Sequence, residues 1–150
     1  MNIQRVKQGA RLTFYNGIYM SLLGLFSIIF NDYVMRTNFV AISELWGFFL
    51  RYDKNISNLF LFFVIVMGIL MISNGIFIIY LSDYIMKRKE KITWVILFIS
   101  GIISWVGLLI ISILFKNWAL IILTFIGWLS FVVGMIVPIK YYIEKSYREY

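Results

Sequence analysis

All the acid chemistry in this chain rests on seven carboxylates: Asp32, Glu44, Asp53, Asp83, Glu90, Glu144 and Glu149. No two stand at a recognisable spacing for paired general acid–base work. Asp83 and Glu90 lie among Lys87, Arg88, Lys89 and Lys91, where solvated ion pairing is the ordinary outcome. Histidine and cysteine are absent. That removes Ser-His and Cys-His nucleophilic pairs, thiol redox chemistry, the usual zinc ligand sets and His-ligated haem. No glycine-rich phosphate loop occurs either. The residue types therefore predict no enzyme, no metal and no cofactor.

What remains is polar but uncharged. Asn16 and Asn74 are amides set within apolar sequence. An unpaired amide in hydrocarbon is costly, so each must find a partner. The expectation is a hydrogen bond between the two, or to a nearby backbone carbonyl, as glue between helices. The functional alternative is a polar contact for a small substrate.

The elements that must position these residues follow from hydropathy. Hydrophobic residues make up 62% of the 150 and charged residues 14%, against about 25% charged in ordinary globular chains. So few charges cannot clothe a water-soluble domain, and the lipid bilayer must be the solvent for much of the surface. Four stretches are free of charge: 12–30, 59–82, 92–115 and 119–139. Each is near the ~20 residues that cross a ~30 Å hydrocarbon core as a helix. In lipid the backbone must satisfy itself, so these read as helices. The predicted fold is an all-α membrane protein, a single domain over 1–150 built as an antiparallel bundle of four transmembrane helices in two hairpins. The first stretch follows Arg5, Lys7 and Arg11 but is too long for a signal-peptide core and lacks a small-residue cleavage site after Phe30, so it reads as a retained span.

Ten of the 14 Lys and Arg fall in the N-terminus, the 83–91 loop and the tail from Lys140, while Arg36, Arg51, Lys54 and Lys116 lie on the other side. Cations set topology, so both termini are expected on the cytoplasmic side of the cell membrane. The net charge of +7 is accounted for by anionic lipid, and no nucleic-acid partner is expected. Trp94 and Trp118 begin the third and fourth spans at opposite interfaces, whereas Trp105 and Trp128 fall near mid-membrane, where Trp is unusual.

Membrane helices approach closely where small residues line the contact. Folding the chain at Asn117 sets Gly107 against Gly127, Ser104 against Ser130, and Ser100 against Gly134. For spans one and two, Gly17 faces Gly75 and Gly24 faces Gly68, with Asn16 and Asn74 at similar depth.

Between spans one and two, 38–50 holds an apolar run too short to cross. At helical spacing Phe39, Ile42, Leu45, Trp46 and Phe49 share a face, and Glu44, Gly47 and Arg51 lie on another. This predicts a short amphipathic helix on the outer surface or capping the bundle, with a re-entrant segment as the alternative. Glu44, Trp46 and Arg51 are the candidate partner-binding residues there. Beyond Pro138, the recurrence of Ile139, Tyr142, Ile143 and Tyr147 predicts a short helix whose aromatic face rests on the membrane or on the 87–91 loop.

No span carries Asp, Glu, Lys or Arg, so proton-coupled transport lacks its usual ionisable group. The functional expectation is a small non-enzymatic accessory, regulatory or immunity/protective partner of a larger membrane system. The alternative is an oligomeric channel or passive transporter subunit, in which case the partner is a second copy of the chain.

Overall fold

One proline, Pro138, interrupts the chain, and each long apolar stretch before it runs as a continuous helix. The computed structural model describes residues 3–42, 45–52 and 54–148. Helix α1 covers Ile3–Ile29, α2 Asn31–Ile42, α3 Trp46–Tyr52, α4 Lys54–Arg88, α5 Lys91–Leu114, α6 Trp118–Ile136 and α7 Ile139–Arg148. Helices α1, α4, α5 and α6 are long and apolar enough to cross a membrane, and they form the antiparallel bundle expected of a transmembrane all-helical protein. Helices α1 and α4 outrun the uncharged stretches. With 35 residues, α4 is about 52 Å long at 1.5 Å per residue, and it carries Lys54, Lys87 and Arg88 beyond its apolar core.

The bundle is built around α1. Its longest interface is with α4, a second side packs on α6, and Asn16 and Tyr19 reach α5. On the α4 side, Gly17 meets Gly75 and Gly24 meets Gly68. A Cβ on Gly24 would lie 2.5 Å from the Gly68 carbonyl, and one on Gly75 would lie 2.6 Å from that of Gly17. Backbones this close exclude any side chain at those positions. On the α6 side, Gly9 does the same work: its Cβ would lie 2.6 Å from the Gly134 carbonyl and 2.7 Å from Pro138 Cδ.

The α5–α6 hairpin packs by a different rule from the one expected. The buried face of α5 runs through Leu97, Gly101, Trp105 and Ser112, not through Ser100, Ser104 and Gly107. Rings fill glycines: a Cβ on Gly127 would overlap the Trp105 ring, and one on Gly101 would overlap Phe131. The small-against-small pairs of Gly107 with Gly127, Ser104 with Ser130 and Ser100 with Gly134 are therefore not formed. Gly107 has nothing within 4 Å of a built Cβ, and Gly134 faces Thr13 of α1. The Ser100 and Ser104 hydroxyls donate to their own helix, at the Leu97 and Ser100 carbonyls. The contact face lies one residue, or about 100° of helix, from the expected one, because a buried indole needs a hollow more than a glycine needs another glycine.

The outer segment also divides differently. Helix α2 begins at Asn31, almost continuous with α1 through the Val34 N–H to Phe30 carbonyl bond of 3.0 Å. The run 38–50 is thus shared between the end of α2 and most of α3 instead of forming one helix. Both helices pack on α4, and Phe39 meets Phe60 edge-on at 5.2 Å.

At the other end of the bundle, α7 follows α6 beyond Pro138. Tyr142 is 1% exposed and stacks at 5.1 Å on Trp94 of α5, which stacks in turn on Phe98. Tyr142, on the aromatic face of α7, thus rests on the first turn of α5.

Candidate functional site

Asn16 lies one residue round from the Gly17 stripe, so its side chain leaves the α1–α4 interface and points to α5 and α6. Its Nδ2 donates to the Gly127 carbonyl and to Ser130 Oγ, each at 2.7 Å. Its Oδ1 accepts from Trp105 Nε1 at 2.9 Å. Ser130 Oγ also donates to the Gly127 carbonyl at 2.9 Å. One amide thus ties three helices together and uses both its N–H groups. The pairing of Asn16 with Asn74 is not formed. Asn74 is half-buried, and its side chain makes no hydrogen bond among the described residues. The reason is angular: Gly17 and Gly75 occupy the shared face, so each neighbouring amide is carried about 100° away from it.

Trp105 is fully buried. Its ring stacks on Tyr19 at 6.1 Å with planes 17° apart, and the Tyr19 hydroxyl donates to the Leu123 carbonyl at 3.0 Å. One turn closer to the termini, Ser82 Oγ donates to Thr13 Oγ1 at 2.8 Å, and Thr13 donates to the Ala10 carbonyl at 3.0 Å. Amide, indole, phenol and hydroxyls form a knot that closes the middle of the bundle.

Beyond the knot, away from the chain termini, the two helix pairs separate around a cavity of about 290 Å³. Its inner end is lined by Leu23, Met71, Leu108 and Leu123, and its rim by Thr37, Asn38 and Asn117. Among the described residues, no charged side chain lines it. Helix α2 overhangs the opening, and Asn117 Nδ2 donates to Asn38 Oδ1 at 2.9 Å, clasping α2 to the α5–α6 turn. Asn117 Oδ1 caps α6 by accepting from Leu120 N. Within the wall, Ser112 and Thr124 lie 3.2 Å apart, and each also donates to a carbonyl of its own helix, Leu108 and Leu120.

The predicted binding residues are not gathered into one site. Asn16 heads the knot and Asn74 stands outside it. Arg51 is exposed on α3, and Asn74 is about 30 Å along the helix that follows, at 1.5 Å per residue. Trp46 opens α3, and Glu44 lies outside the described residues. The knot could have been looked for from Trp105, since a mid-membrane indole requires an acceptor. The cavity leaves no such trace, because Asn38 and Asn117 read as ordinary loop residues.

No family model, no curated protein and no solved structure matches the chain. Fold and site together define its class: a four-helix membrane bundle knotted at its middle and hollow at the end away from its termini.

Proposed function

We propose that the chain is a non-enzymatic, multi-pass protein of the cell membrane that serves a larger membrane system as an accessory, regulatory or protective partner, with both termini in the cytoplasm. The observation that carries this reading is the closed middle of the bundle. Trp105 and Phe131 are fully buried there, and Asn16 spends its hydrogen bonds on the protein itself. A single copy with such a centre has no path for solute. The buried polar residues among those described are Thr13, Asn16, Ser57, Ser82, Thr93, Ser112 and Thr124, all without ionisable chemistry at working pH. Function then falls to the surface, and the α2–α3 segment is where partner recognition belongs, with Arg51 exposed upon it.

Purification in mild detergent followed by native mass spectrometry tests this. The expected result is a stoichiometric foreign subunit whose association is weakened by Arg51→Glu. A closed ring of identical copies that conducts ions in planar bilayers overturns it in favour of a channel. A lone monomer counts against it as well.

A further inference from the structure

The cavity has a polarity gradient along its length. Two of its walls run the same distance: Val64 to Met71 on α4 and Leu108 to Phe115 on α5, each about 10 Å at 1.5 Å per residue. The inner end is hydrocarbon. The hydroxyls partway up, Ser112 and Thr124, spend their protons on helix carbonyls, so they present no unused donor to a guest. The rim is different. In the Asn38–Asn117 clasp, Asn38 uses only its oxygen and Asn117 only one N–H. Among the described residues, the Asn38 amino group and the second N–H of Asn117 have no acceptor at the opening. Among the described residues no cation or anion faces the space, and its volume sits at the lower limit of small-ligand pockets.

We propose that this cavity binds an uncharged single-chain amphiphile, with its hydrocarbon chain among Met67, Met71, Leu108 and Leu123 and an acceptor oxygen of its hydroxyl or carbonyl head on the Asn38 and Asn117 amides. A charged head would be desolvated at the rim, where no described lining residue offers a counter-charge. A purely apolar guest would leave the free amide donors unmet. The site shares α2 with the proposed partner surface but includes no residue of α3, so filling it from α4 with Val64→Phe and removing Arg51 from α3 test occupancy and the accessory reading separately.

The test is photolabelling of the full chain in phosphatidylglycerol nanodiscs with a diazirine-bearing hexadecanol. Saturable label is expected in peptides covering 64–71 and 108–124, displaced by excess unlabelled hexadecanol and not by hexadecyl sulfate. Asn38→Leu is expected to weaken that displacement roughly fivefold, the effect of losing one ordinary hydrogen bond. Val64→Phe, which fills the wall, is expected to abolish the label, while Ile110→Phe on the lipid-facing side of α5 leaves it unchanged. Label spread without saturation over lipid-facing Ile99, Ile103 and Ile110 overturns the proposal, as does equal competition by hexadecyl sulfate. A phospholipid probe carrying its diazirine on an acyl chain makes a further arm: if it labels the same stretches and hexadecanol does not displace it, the occupant is a bilayer tail and the proposal fails.

Discussion

At the residue scale, the side chain with the most consequence is Asn16. Replacing it with leucine removes two donors and one acceptor together and strands the Trp105 N–H in a fully buried site. Single interhelical hydrogen bonds in membrane proteins average about 0.6 kcal/mol, but a buried group left unpaired costs about 1–3 kcal/mol. The second effect dominates, and Asn16→Leu is expected to destabilise by about 1–3 kcal/mol in detergent unfolding. Combined with Trp105→Phe it should be non-additive by roughly 0.5–1.5 kcal/mol, since the two residues share a bond. Combined with Asn74→Leu it should be additive within about 0.5 kcal/mol, and coupling there would contradict the observed geometry. That Asn16 needed a partner is plain from its surroundings in the chain. Which partner it takes is not, because an amide is satisfied equally by another amide, a carbonyl or an indole. The choice depends on a rotation of about 100°, which hydropathy does not record.

At the scale of elements, two packing rules coexist. The α1–α4 register follows from small residues on both helices, and such a pattern is visible when both strips are read together. The α5–α6 face is hidden because a ring seated on a glycine has only one small partner. The two glycines of that hairpin separate the rules. Gly127→Ala places a methyl in the Trp105 ring and should lower stability by about 1–3 kcal/mol through overpacking. Gly107→Ala meets nothing and should leave stability unchanged or raise it by up to about 1 kcal/mol through helix propensity. Equal effects at the two positions would mean that small-against-small packing operates after all. Helix α7 adds a pH dependence. Burial raises the Tyr142 phenol above the ordinary value of 10.0, and its hydroxyl has no hydrogen-bond partner among the described residues. The docked helix holds the neutral phenol, so its contribution is full below about pH 10 and declines as the pH rises beyond it. Trp94 fluorescence should report undocking on that alkaline limb. Tyr142→Phe should keep the stack and remove the transition.

For the molecule as a whole, the four crossings were legible because an uncharged run of about 20 residues has few other fates. The cavity was not, since a void forms where helices diverge, and divergence is a property of pairs rather than of any one segment. Orientation is the remaining question at this scale, and the chain is well suited to answering it because it contains no cysteine. With a membrane-impermeant maleimide on intact cells, Arg51→Cys is expected to label directly. Lys89→Cys should label only after permeabilisation. The reverse pattern would invert the topology.

The contacts of Asn16 also set a schedule for the protein's birth. Its indole donor lies 89 residues downstream and its carbonyl acceptor 111. At about 5–20 residues per second of synthesis, the first helix waits roughly 5–20 seconds with a bare amide before the last two emerge. Any nascent or truncated chain ending before α6 therefore displays a polar flag within the bilayer, and only the finished chain takes it down.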